Sequence, residues 1–154
     1  MAMDIPLVNE QATKTLARQF ARFISPPMVL AFCGEIGAGK TTFIRAMLQA
    51  LGVDSRIKSP TFSLVESYDT DTFLVHHFDL YRIHEETELE YIGFRDYFAD
   101  NAVCCIEWPE QAPNALPQVD VMITLRIEHD GRLWQATSAS VLGQQFLASF
   151  LESI

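Results

Sequence analysis

Gly34-Glu35-Ile36-Gly37-Ala38-Gly39-Lys40-Thr41 fits the pattern G-x-x-x-x-G-K-[ST]. Each residue type in the octet has a chemical use. Gly34, Gly37 and Gly39 permit a tight turn and close backbone approach, so that successive N–H groups surround an anion; Lys40 reaches β- and γ-phosphates, and the Thr41 hydroxyl binds magnesium. At average residue frequencies such an octet arises by chance in roughly half a percent of chains this long. Mg²⁺ takes oxygen ligands and an attacking water must be oriented, so the loop calls for acids close by. Two stand where apolar runs end, Asp79 after Phe73 to Phe78 and Glu107 after Val103 to Ile106. Lys40, Asp79 and Glu107 are therefore the expected catalytic residues, with either carboxylate admissible for orienting the water.

These groups need elements to place them. Met28 to Cys33 is a continuous apolar run, as expected of a strand buried on both faces. Lys40 to Leu51 carries Phe43, Ile44, Met47, Leu48 and Leu51 at helical spacing and is closed by Gly52. Strand, glycine-rich loop and helix in that order put a helix N-terminus against phosphate. Upstream, Ala12, Leu16, Phe20, Phe23 and Ile24 mark an amphipathic helix over 9–24 with Asn9 as its N-cap. Downstream, 61–68 and 72–78 read as strands of a hairpin joined by Asp69-Thr70-Asp71. Residues 85–99 are acidic and helical in pieces around Gly93, and 102–106 form another buried strand. A terminal hairpin, 121–127 with 133–138, precedes a closing helix over 141–151. The pattern predicts an α/β fold: a P-loop three-layer sandwich with a mixed, mostly parallel sheet and a C-terminal antiparallel hairpin, in one domain over 1–154.

Composition narrows the function classes. The chain has 154 residues, 49% of them hydrophobic, with 20 acidic against 11 basic side chains and a net charge of −9. That excludes collagen-like and disordered classes and argues against a free-standing DNA or RNA binder, whose affinity comes from Lys and Arg neutralising phosphates. The acidity is regional, because residues 66–110 hold 12 Asp and Glu against only Arg82 and Arg95. No apolar run approaches the roughly 20 residues of a membrane span, and residues 1–14 lack a basic start followed by an apolar stretch, so a cytoplasmic protein without membrane partners is expected. Cys33, Cys104 and Cys105 sit in apolar runs and read as reduced core residues. His76 and His77, adjacent on a strand, point to opposite faces and do not share a metal.

Nucleotide classes separate further. No aspartate is followed by glycine three residues on and Asn-Lys is absent, which speaks against a guanine-specific GTPase. A small-molecule kinase usually brings a lid with several arginines; after Glu107 only Arg126 and Arg132 remain. A non-catalytic, nucleotide-gated switch is the other alternative.

Four segments in order, Gly34 to Thr42, Lys58-Ser59-Pro60-Thr61-Phe62, His77-Phe78-Asp79-Leu80-Tyr81-Arg82 and Ile106-Glu107-Trp108-Pro109, closely resemble the bacterial TsaE (YjeE) family. The resemblance runs from Asn9 to the Gly131-Arg132 turn. It implies a Mg²⁺-dependent ATPase needed for forming N6-threonylcarbamoyladenosine at position 37 of tRNAs that read codons beginning with A. It further implies that the ATPase does not itself transfer the group but acts with the TsaD and TsaB subunits, meeting tRNA only through them. By motif, Thr41 and Glu107 are its expected magnesium ligands. Gly37, Ala38, Gly39, Lys40, Thr41 and Thr42, with Gly34, form the expected ATP phosphate cradle. Asp79 is the strand-end acid, Thr61 a nucleotide-sensing switch residue, and Glu10 and Arg132 fall in nucleotide-flanking segments.

Overall fold

The computed structural model describes residues 1–53 and 56–154. The strands are β1 (Ala2–Leu7), β2 (Met28–Cys33), β3 (Val65–Asp69), β4 (Leu74–Asp79), β5 (Ala102–Glu107), β6 (Val121–Glu128) and β7 (Gly131–Ser138). The α-helices are α1 (Glu10–Ala21), α2 (Lys40–Ala50), α3 (Glu88–Tyr91) and α4 (Val141–Ser153), and short 3₁₀ turns cover Phe94–Tyr97 and Pro109–Gln111. The strands form one mixed sheet in the order β1-β7-β6-β2-β5-β4-β3. Its centre is parallel: β2 pairs with both β5 and β6, and β4 pairs with β5. The flanks are antiparallel, β1 on β7 on β6 at one side and β3 on β4 at the other. The parallel share is thus the central four strands.

Two apolar layers enclose the sheet. On one face α1, α2 and α4 cover a core centred on Phe20, whose ring makes edge contacts with Phe43, Trp134, Phe146 and Phe150 at centroid separations of 4.8–5.9 Å. The α1 residues Thr13, Leu16, Ala17, Phe20 and Ala21 are buried, the stripe expected of a helix lying on a sheet. On the other face Phe78, Leu80, Leu89, Phe94, Cys104 and Ile106 form a second core under α3 and the 3₁₀ turns. Cys104 and Cys105 are sealed in, and burial pushes the Cys104 thiol up to about 12, so neither behaves as a reactive thiol.

Helix ends differ in a way that matters below. The Asn9 side chain accepts from the Ala12 N–H at 2.9 Å and the Ser140 hydroxyl accepts from the Gly143 N–H at 2.9 Å, so α1 and α4 carry side-chain caps. At the N-terminus of α2 stands Gly39, in a left-handed conformation, with no side-chain cap and no acid in the first turn.

Two boundaries depart from the sequence reading. β1 is absent from that reading; it is a short edge strand that contains Pro6 and whose partner β7 lies far along the chain. The expected strand from Thr61 starts only at Val65. Leu64 has a left-handed φ of 68° and its carbonyl accepts from the Asp79 N–H, so 61–64 turn across the end of β4 instead of extending β3.

Candidate active site

Three of the four central parallel strands, β2, β4 and β5, deliver their C-terminal ends to one place, where open α/β sheets gather ligands. β2 runs into the glycine-rich loop, β4 ends in Asp79, and β5 ends in Glu107. Asp79 and Glu107 are register partners. Both are buried, at 8% and 3% exposure.

The loop's shape follows from its glycines. Gly34 has φ of 140°, and a Cβ there would run into the backbone carbonyl of Leu125 on β6. Only glycine lets the loop leave β2 against that strand. Lys40 is buried; its Nζ donates to the Gly34 carbonyl and lies 3.9 Å from the centroid of the Trp108 ring. Burial pushes the Lys40 ammonium pKa down, while Glu107, Asp79 and Glu110 act in the opposite direction. Trp108 itself takes a left-handed backbone, φ 58°, and its N–H donates to the Phe32 carbonyl at 3.3 Å. Tyr81 packs on the same indole at 4.8 Å.

The acids are held differently. Asp79 Oδ1 accepts from the Tyr81 N–H at 3.1 Å, and Oδ2 faces the Thr61 hydroxyl at 3.4 Å. Burial raises its carboxyl pKa and the neighbouring Glu107 acts in the same direction, partly offset by these bonds. Glu107 Oε2 lies 2.7 Å from His77 Nε2. Thr61 also shares a 2.8 Å hydroxyl contact with Ser59, while the neighbouring Phe62 is 85% exposed and stacks under the Arg82 guanidinium.

A separate cleft of about 310 Å³ opens beside the loop, lined among others by Glu10, Thr13, Gly37, Gly39, Thr42 and Arg132. Arg132 donates to its neighbour Gly131's carbonyl at 2.9 Å and reaches across to the Gly37 carbonyl at 3.2 Å. Glu10, exposed, pairs with Lys14 at 3.1 Å. The sequence-expected residues therefore fall into two adjoining groups: Lys40, Thr61, Asp79 and Glu107 at the strand ends, and Glu10, Gly37, Gly39, Thr42 and Arg132 around the cleft. Ala38 is buried beneath the loop, and Thr41 is half-buried in the first turn of α2. Residues the sequence reading did not place in the site are His77, Thr13 and Tyr81. The alternation of β4 pairs His77 with the face of Asp79 and was the signal available for it.

The arrangement suits a nucleotide and a hard cation. The uncapped N-terminus of α2, without an acid to compete, is receptive to phosphate, and the hydroxyl and carboxylate oxygens of Thr41, Asp79 and Glu107 have the chemistry Mg²⁺ takes. Among the described residues no group of three His, Cys, Asp or Glu side chains converges into a metal cage. Such a cation would draw its remaining ligands from phosphate and water, as Mg²⁺ commonly does. A roomier groove, about 510 Å³, lies elsewhere, among Glu86, Leu89, Glu90, Phe94, Arg95 and Asn114. No helix of the described residues is long and apolar enough to cross a membrane.

Comparison with known proteins places this geometry in context. A family model described as threonylcarbamoyl adenosine biosynthesis protein TsaE matches residues 7–134. A tRNA threonylcarbamoyladenosine biosynthesis protein TsaE of Haemophilus influenzae is 40% identical over 117 residues, covering 76% of this chain and 74% of that one. The protein of the same description from Bacillus subtilis is 35% identical over 119 residues, covering 77% and 74%. The crystal structure of YdiB from Bacillus subtilis superposes with a TM-score of 0.85 at 27% identity, over 99% of this chain and 96% of that one.

Proposed function

From the premise that this chain belongs to the TsaE family, we propose that it is a Mg²⁺-dependent ATPase serving tRNA threonylcarbamoyladenosine biosynthesis. Its relatives are named for that pathway. The observation that carries the ATPase reading is the convergence of an uncapped α2 N-terminus, the buried Lys40 and two buried strand-end carboxylates, Asp79 and Glu107.

In this reading the N–H groups of 37–42 bind the phosphate chain and Lys40 neutralises its charge. Thr41 and Glu107 hold the cation, which when bound supplies charge neutralisation across the phosphates. Asp79, kept in place by Tyr81 and facing Thr61, orients water. Its raised pKa strengthens it as a proton acceptor once ionised. Thr61 couples that acid to the turn at 61–64, and the cleft around Arg132 and Glu10 receives the base. Trp108 and Tyr81 form an apolar wall that keeps bulk water from Lys40. The protein acts with TsaD and TsaB, its hydrolysis supporting their turnover, and it reaches tRNA only through them, in the cytoplasm.

The test is reconstitution. Adding the protein to TsaD, TsaB and tRNA should raise threonylcarbamoyladenosine yield over repeated cycles, with phosphate release that Lys40→Ala or Glu107→Ala abolishes. Equal yield with a non-hydrolysable ATP analogue would convert the ATPase into a binding switch. Transfer of phosphate to a metabolite, followed by ³¹P spectroscopy, would make it a kinase.

A further inference from the structure

β4 and β5 run parallel with His77 opposite Cys105 and Asp79 opposite Glu107. Their odd-numbered residues share one face, since Val75, Val103 and Cys105 all belong to the core under α1 and α2. His77 and Glu107 meet on that face, Nε2 to Oε2, at 2.7 Å, and are 2% and 3% exposed. The other ring nitrogen, Nδ1, is buried and has no hydrogen-bond partner among the described residues. A hydrogen on Nδ1 would be an orphaned buried donor, rarer and costlier than a bare lone pair. A ring hydrogen on Nε2, donated to the carboxylate, is the arrangement that avoids this.

The adjacent histidine offers a contrast. His76 points to the opposite face, where it shares a 2.7 Å contact with the Ser67 hydroxyl and packs edge-on against Tyr97. It touches none of the groups at the strand ends. A glutamate side chain has three rotatable bonds, and Glu107 Oε1 makes no hydrogen bond among the described residues, so the contact to His77 is what fixes the carboxylate.

We infer that His77 is a positioning residue for Glu107: its Nε2–H claims Oε2 and aims Oε1 at the site beside the phosphate loop. The inference rests on reading Glu107 as a magnesium ligand. Outer partners of metal-binding groups are worth about ten- to a hundredfold in metal affinity, which sets the expected effect.

Two measurements test it. Long-range ¹H–¹⁵N spectra of the protein without nucleotide or metal read the His77 tautomer directly; a hydrogen on Nε2 is expected, and a hydrogen on Nδ1 overturns the inference whatever the protein's function. Calorimetric titration with ADP, with and without Mg²⁺, then compares wild type with His77→Leu and His77→Gln, whose amide nitrogen can replace Nε2–H. In His77→Leu the enhancement of ADP affinity by Mg²⁺ should fall about tenfold, with metal-free affinity within about twofold of wild type, and His77→Gln should restore most of the enhancement. An unchanged enhancement in a folded His77→Leu assigns His77 a purely structural role. Equal loss of metal-free affinity does the same. A wild-type protein whose ADP affinity ignores Mg²⁺ would overturn the magnesium reading of Glu107 and this inference with it, while leaving the tautomer result to stand alone.

Discussion

Substituting Gly34 and Gly37 by alanine separates two costs that a glycine-rich loop combines. Both residues have left-handed φ, 140° and 85°, so each substitution adds backbone strain. For Gly37 nothing lies within 4 Å of the added Cβ, and strain of about 1–2 kcal/mol is the whole expected loss. At Gly34 the Cβ meets the rigid Leu125 carbonyl of β6, which adds about 1–3 kcal/mol of overpacking. Gly34→Ala should therefore be less stable than Gly37→Ala by that second amount, or about 2–12 °C in Tm for a chain of this size. Urea denaturation followed by circular dichroism, without nucleotide, measures the difference. Because the Gly34 carbonyl also accepts from Lys40 Nζ, the displaced loop of Gly34→Ala should lose ADP binding beyond its loss of stability. If the two variants prove equally stable, the loop is not wedged against β6 and the geometric account of Gly34 is wrong.

Other expectations follow from the same contacts. Burial raises the Asp79 carboxyl pKa, so the folded state binds a proton more tightly than the unfolded chain. The stabilising contribution is full below the unfolded value and is lost as pH rises through the folded one. Asp79→Asn should thus gain stability relative to wild type as pH rises from 4 to 7 while hydrolysing ATP more slowly; parallel stability–pH curves for the two proteins would refute this. Arg132→Ala removes the bond to the Gly37 carbonyl and should weaken ADP binding about tenfold with little change in Tm, read by calorimetry. In the acidic segment, Glu88 accepts from the His84 and Glu85 N–H groups, and Glu86 holds Asn114 at 2.7 and 3.1 Å. Those two carboxylates are anchors, so the charge available to steer a basic partner is better removed by Glu85→Gln with Glu90→Gln. That pair should weaken the proposed association with TsaD and TsaB roughly three- to tenfold at low salt, an effect that vanishes at high salt.

What the sequence conveyed about the fold depended on how local each signal was. The phosphate loop is contiguous, so its residues and flanking elements were readable from Met28 to Gly52, and β2 has the expected boundaries. The hairpins were readable for the same reason. β1 was not, because it is only six residues long, contains Pro6, which argues against a strand, and has its partner at the other end of the chain. Thr61 looked like a strand start since it is β-branched and follows Pro60, but the left-handed Leu64 turns the chain first. Within the site, the cleft of Glu10 and Arg132 needs β7 to lie against the start of α1, and the His77–Glu107 contact joins residues 30 apart. Parity along two strands was the only local trace of the latter.

The two tryptophans lie in very different surroundings. Trp134 is fully enclosed among Phe20, Phe43 and Phe150, its Nε1 without a partner among the described residues, whereas Trp108 lies over the Lys40 ammonium. Emission from the chain should therefore combine a blue component from the core with one quenched or shifted by the charge beside Trp108. Trp134→Phe keeps an aromatic ring in the core and removes an unsatisfied donor, leaving Trp108 as a lone fluorophore at the phosphate loop. A displacement of Lys40 should then change the Trp108 emission, and mixing with ADP in a stopped-flow cell would test for binding at the loop and time it without attaching a dye.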